Sequence, residues 1–126
     1  PIVEVYKNTK VYLENVVVDW KDTWGQITEL EYSIVNDEQG SIVPSYFLIM
    51  VEGYDDVEKK ATLPVELQLV RSGTSQLGKI TLDKPFNYNE KNTGNLENVN
   101  VRIILFNKAD PPKPMASAQK EFNLGK

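Results

Sequence analysis

The stretch Gly25–Gly53, GQITELEYSIVNDEQGSIVPSYFLIMVEG, decides the fold. Its first half, Ile27–Val35, alternates. Leu30, Tyr32 and Ile34 fall on one face, and Glu29, Glu31 and Ser33 on the other. That alternation belongs to a strand with one buried face and one solvated face. The second half, Ser45–Val51, is apolar on both faces, with Tyr46, Leu48 and Met50 on one side and Phe47, Ile49 and Val51 on the other. A strand covered on both sides is central to a core. The polar run DEQGS between them supplies the turn, and Pro44 stands at a strand start, where its missing N–H is tolerated.

Working outward, strand-forming segments recur on both sides. Upstream lie Pro1–Lys7 and Val11–Trp20, the latter with its alternation broken around Glu14 and Asn15. A bulge there would transfer the buried set from Val11 and Leu13 to Val16 and Val18. Downstream, GYDDVEKK (53–60) reads as a charged loop. Thr62–Val70 reads as an edge strand carrying Pro64, with Leu63, Val65, Leu67 and Leu69 inward. Leu77–Asp83 is a short strand. The asparagine-rich run 84–98 reads as loop, because asparagine tolerates left-handed backbone and closes its own turns. Val99–Phe106 is strongly apolar, with Val101, Ile103 and Leu105 facing inward. The proline-rich loop 107–114 follows, and Ser117–Leu124 closes the chain with Ala118, Phe122 and Leu124 inward. If these last strands pair in the usual order, the loops 87–98 and 107–114 emerge at opposite ends.

No segment carries a helical apolar stripe. The pattern predicts a single domain over residues 1–126, an all-β, immunoglobulin-like or fibronectin-like antiparallel sandwich of seven to eight strands. A partly open barrel is the alternative. The cysteine–tryptophan–cysteine pattern of antibody domains is missing, so this likeness is one of architecture.

Composition removes several chemistries. Cysteine and histidine are both absent, which excludes thiolate metal sites, disulfides, cysteine nucleophiles and histidine-based acid–base or metal chemistry. A formal charge of -4 and only two arginines, Arg71 and Arg102, make a poor surface for nucleic-acid phosphates. No apolar run approaches the roughly 20 residues of a membrane helix. Attachment to a membrane would need a segment outside this chain.

Several side chains are candidates for binding. Trp20 and Trp24, in DWKDTWG, are suited to a protein interface or a sugar ring, or else to plugging one end of the core. Tyr88 is the anchor of the asparagine-rich loop, and Tyr54 sits beside Asp55, Asp56 and Glu58, which read as a solvated acidic loop rather than a metal site. Glu29 and Glu31 share a flat strand face, which offers no water-excluding cleft for paired-carboxylate hydrolysis. Ile104 and Phe106, opposite the core residues of their strand, imply a cover together with Phe47 and Ile49. A second copy of the chain is one such cover.

The expected function is therefore non-catalytic: a protein-binding or structural module of a cell-surface, filament or envelope assembly, placed outside the cell or on its surface. It would need no cofactor and no metal, and would bind a protein partner or itself. A carbohydrate-binding module using Trp20, Trp24 and Tyr88 or Tyr54 is the alternative, with a small carboxylate hydrolase behind it.

Overall fold

Thr28 is the pivot of the first sheet. The computed structural model describes every residue, Pro1–Lys126. In it, β1 (Thr9–Trp20) runs antiparallel to β2 (Gly25–Asn36) with two register shifts. The first leaves Glu14 as an extra residue on β1, where the broken alternation places a bulge, so the buried set passes from Val11 and Leu13 to Val16. The second leaves Thr28 as an extra residue on β2, its hydroxyl 3.4 Å from the Val17 carbonyl. On its other side β2 pairs with β5 (Thr74–Tyr88), and the ladder breaks again at Thr28. There β5 makes an excursion across Leu82–Pro85, between the pairs Glu29–Thr81 and Ile27–Phe86.

That excursion corrects the loop expected over 84–98. Strand β5 continues through Phe86 to Tyr88, and only then does the short helix α1 (Glu90–Thr93) begin, with the Asn89 side chain accepting the Asn92 N–H. Pro85 lies where the ladder is interrupted, so its missing donor costs no hydrogen bond. Asp83, in the same excursion, accepts from the Thr62 N–H at 3.0 Å and the Thr62 hydroxyl at 2.7 Å, tying β5 to the other sheet.

The second sheet has the order β4-β3-β6-β7 and the first has the order β1-β2-β5, giving a seven-stranded antiparallel β-sandwich. Strand β3 (Pro44–Val51) is central, as its two apolar faces require. It is flanked by β4 (Lys59–Thr62) and β6 (Val99–Asn107), with β7 (Pro114–Phe122) beyond β6. Tyr32 of β2 meets Phe47 of β3 between the sheets, ring centroids 4.8 Å apart. Val101, Ile103 and Leu105 are buried as the alternation predicts.

The strand expected over 62–70 is replaced. β4 occupies 59–62, and Pro64 then caps a 3-10 turn over Val65–Leu67. Leu63 stays in the core, but Val65 is 76% exposed. Proline explains the change: it donates nothing to a ladder and is compatible with the start of a helical turn.

The loops divide between the two ends. Loop 37–43 and the loop after β6 share one end, where the Lys108 N–H donates to the Val43 carbonyl at 3.0 Å. The turn after β1, the loop after β3 and the segment 89–98 share the other, where the Asn89 N–H donates to the Tyr54 hydroxyl at 2.9 Å. The two expected loops, shortened to 89–98 and 108–113, thus lie at opposite ends.

Candidate functional site

Two features stand out: a cleft at the second end, and the outer face of the four-stranded sheet.

The cleft starts from Gly25. Its cross-strand partner is Tyr88, whose ring occupies the space where a Cβ would stand. Trp20 packs on that ring at a centroid distance of 6.3 Å, and its indole N–H donates to the Asp22 carbonyl at 2.8 Å. Asp22 has φ of 130°, a conformation that L residues rarely adopt, and the Lys21 N–H donates to the Trp24 carbonyl at 2.8 Å. This tight turn presents Trp24, which is 37% exposed.

The opposite wall is Tyr54. Its ring meets Phe86 edge-on at 5.4 Å, and its hydroxyl receives the Asn89 N–H. Gly53, at φ of 91°, lets the loop lie against the Asn92 backbone. The result is a cleft of about 370 Å3 lined by Trp24, Tyr54, Asn87, Tyr88 and Asn89, with no acidic or basic side chain.

Four residues singled out from sequence therefore gather at one end, in unequal roles. Trp24 and Tyr54 offer surface. Trp20 is half-buried and braces Tyr88. Tyr88 is corrected: it belongs to β5 rather than to the loop, is 1% exposed, and donates its hydroxyl to the Leu124 carbonyl at 2.6 Å. Burial pushes its phenol up to about 12. Asn87 and Asn89 escaped the sequence reading as cleft residues. Their only signal was the asparagine enrichment itself, which reads equally well as turn chemistry.

The outer face of the second sheet requires another correction. Phe47 and Ile49 are wholly buried between the sheets. The register pairs Leu48 with Ile104 and Tyr46 with Phe106, so the outer partners of Ile104 and Phe106 are Leu48 and Tyr46, with Met50 next along β3 opposite Arg102. Tyr46 and Phe106 stack at 5.1 Å and 10°, with the Lys60 amine 4.4 Å from the Tyr46 centroid. All five apolar side chains are half-buried. A signal was present in sequence: Tyr46 carries a hydroxyl suited to water, whereas Phe47 carries none.

Elsewhere, Asp55, Asp56 and Glu58 are exposed, and no group of three or more acidic side chains converges. Glu29 and Glu31 lie on the outer face of β2, where Glu31 accepts from the Asn15 amide at 2.9 Å. Comparison with protein-family models, curated proteins and solved structures finds no match.

Proposed function

We propose that this chain is a non-catalytic, immunoglobulin-like interaction module that self-associates through the outer face of its four-stranded sheet, as a building block of a cell-surface, filament or envelope assembly. The observation that carries the reading is the apolar strip Tyr46, Leu48, Met50, Ile104 and Phe106. It runs across two adjacent central strands rather than appearing as scattered residues. Lys60, Thr62, Arg102 and Gln119 border it, giving an apolar centre at Leu48 and Ile104, an aromatic pair at one end and polar residues alongside, the usual anatomy of a protein interface. The facing sheet orders, β1-β2-β5 and β4-β3-β6-β7, support the immunoglobulin-like description, and assembly as a role follows from the architecture by analogy.

Sedimentation across a concentration series tests it. The monomer mass is 14.3 kDa. The expected result is a reversible rise above that mass which Ile104→Lys abolishes, since a lysine in the strip would carry an unpaired charge into the contact. A monomer at every concentration, or an oligomer indifferent to Ile104→Lys, overturns the reading.

A further inference from the structure

We propose that the end cleft between Trp24 and Tyr54 is a binding site for a neutral sugar ring, separate from the sheet face and independent of it. A pyranose has two chemically distinct aspects: an apolar C–H face and a periphery of hydroxyls that both donate and accept. An indole or phenol ring matches the first, and a carboxamide, with one donor group and one acceptor, matches the second.

This cleft holds both kinds of surface and nothing else. Trp24 and Tyr54 provide aromatic faces, and Asn87 and Asn89 provide amides. The Asn87 oxygen accepts from Gln26 at 2.9 Å, and the Asn89 oxygen accepts from the Asn92 N–H at 2.9 Å. The Nδ2 groups of both asparagines donate to nothing in the chain, so donors are left for a ligand. No lysine, arginine or carboxylate lines the cleft, which sets a neutral saccharide apart from a uronic acid, a sulfated sugar or an amine. Its volume lies at the small end of ligand clefts, roughly 300–1,000 Å3, suiting one or two sugar rings rather than a long chain.

The walls are also held before any ligand arrives. Tyr54 is fixed by Phe86 and by the Asn89 N–H, Tyr88 by the Leu124 carbonyl, and the turn that carries Trp24 is closed by the Lys21 N–H on the Trp24 carbonyl. The Tyr54 and Tyr88 side chains therefore have little freedom left to lose on binding, which raises affinity for a given contact area. The site stands among loops at one end of a rigid sandwich, where such folds present binding residues.

The test is a titration of the full chain, labelled with nitrogen-15, against maltotriose, mannotriose and tri-N-acetylchitotriose at millimolar concentration. The readouts are the Trp24 indole N–H and the side-chain amides of Asn87 and Asn89. The expected result is a saturable shift of these signals with at least one trisaccharide. Trp24→Ala should weaken that binding about tenfold or more, Trp24→Phe should retain most of it, and Ile104→Lys on the sheet face should leave it unchanged. Trigalacturonic acid should bind more weakly than the neutral probe. The proposal is overturned if no trisaccharide moves these signals, if a folded Trp24→Ala variant binds as well as the parent, or if the acidic sugar binds equally.

Discussion

The Tyr88 ring lies over Gly25, its cross-strand partner between β5 and β2. A Cβ at Gly25 would stand 2.5 Å from the Tyr88 hydroxyl and 2.9 Å from Trp20 Cε3. The same device recurs further along this strand pair, where the Tyr32 ring lies over its partner Gly78. In each case glycine removes a side chain so that a tyrosine can fold flat across the neighbouring strand, and the aromatic ring restores the packing that glycine lacks. Gly25→Ala and Gly78→Ala should therefore each cost about 1–3 kcal/mol, the range for overpacked sites. Equal denaturation midpoints for parent and variants would contradict this. Gly25→Ala should also disturb the Trp24 signals, whereas Gly78→Ala should spare them.

Both tyrosines whose rings cover these glycines are buried, and burial pushes each phenol up to about 12 from the ordinary 10. Between those values the unfolded chain has released the proton while the folded chain still holds it. Folding stability should thus be complete below about pH 10 and fall as pH rises toward 12, by up to about 1 kcal/mol per pH unit for each tyrosine. Urea unfolding at stepped alkaline pH measures the slope. Ultraviolet titration supplies the second readout: of the six tyrosines, Tyr32 and Tyr88 should ionise last, or only as the chain unfolds. A stability that stays level to pH 12 would refute the linkage.

At the opposite end, Glu38 is turned inward. Its carboxylate accepts from the Asn8 N–H and the Thr9 hydroxyl, both at 2.7 Å, and its own N–H donates to the Asn36 side chain at 2.8 Å. Asn36 in turn donates to the carbonyls of Gly40 and Val70. Glu38 is therefore a side-chain clasp between the N-terminal segment and loop 37–43, beside the backbone bonds Val3–Ser41, Ser41–Pro1 and Asp37–Asn8. Glu38→Ala would strand the buried Thr9 hydroxyl and should cost about 1–3 kcal/mol. The Asn8 amide should exchange with solvent faster. Glu38→Gln keeps an acceptor and should lose less. Unchanged exchange at Asn8 in the alanine variant would show that the clasp is dispensable.

What could be read from the chain was set by local pattern. The bulge at Glu14 and the inner set of β6 follow from alternation alone, because neither depends on a distant neighbour. The inward face of β3 does depend on one. Both its faces are apolar, so beyond the hint of the Tyr46 hydroxyl it is the register with β6 that decides that Phe47 goes inside and Tyr46 outside. The length of β5 was hidden by Pro85 and Asn87, which resemble loop residues until the excursion at Thr28 shows why they are tolerated. The cleft was the least legible feature, since Trp24, Tyr54 and Asn87 come from different connections and strands, and only the completed sandwich brings them together.

Strand β4 offers a final test, of how the two sheets are joined at their open edge. Only four residues long, it is paired with β3 on one side and reached by Asp83 from β5 on the other. The bonds to Thr62 are charge-assisted but exposed, so screening by solvent should reduce their worth to about 1 kcal/mol. Asp83→Ala should lower stability by about that amount and speed amide exchange at Thr62. Thr62→Ala removes the hydroxyl bond while leaving the N–H bond in place. A double-mutant cycle of Asp83→Ala with Thr62→Ala should therefore return a coupling below the full cost of Asp83→Ala, the difference belonging to the backbone contact. If the cycle shows no coupling and exchange at Thr62 is unaltered, Asp83 does not hold β4, and the strand is retained by its pairing with β3, the Lys60–Tyr46 contact and the burial of Ala61 and Leu63 in the core.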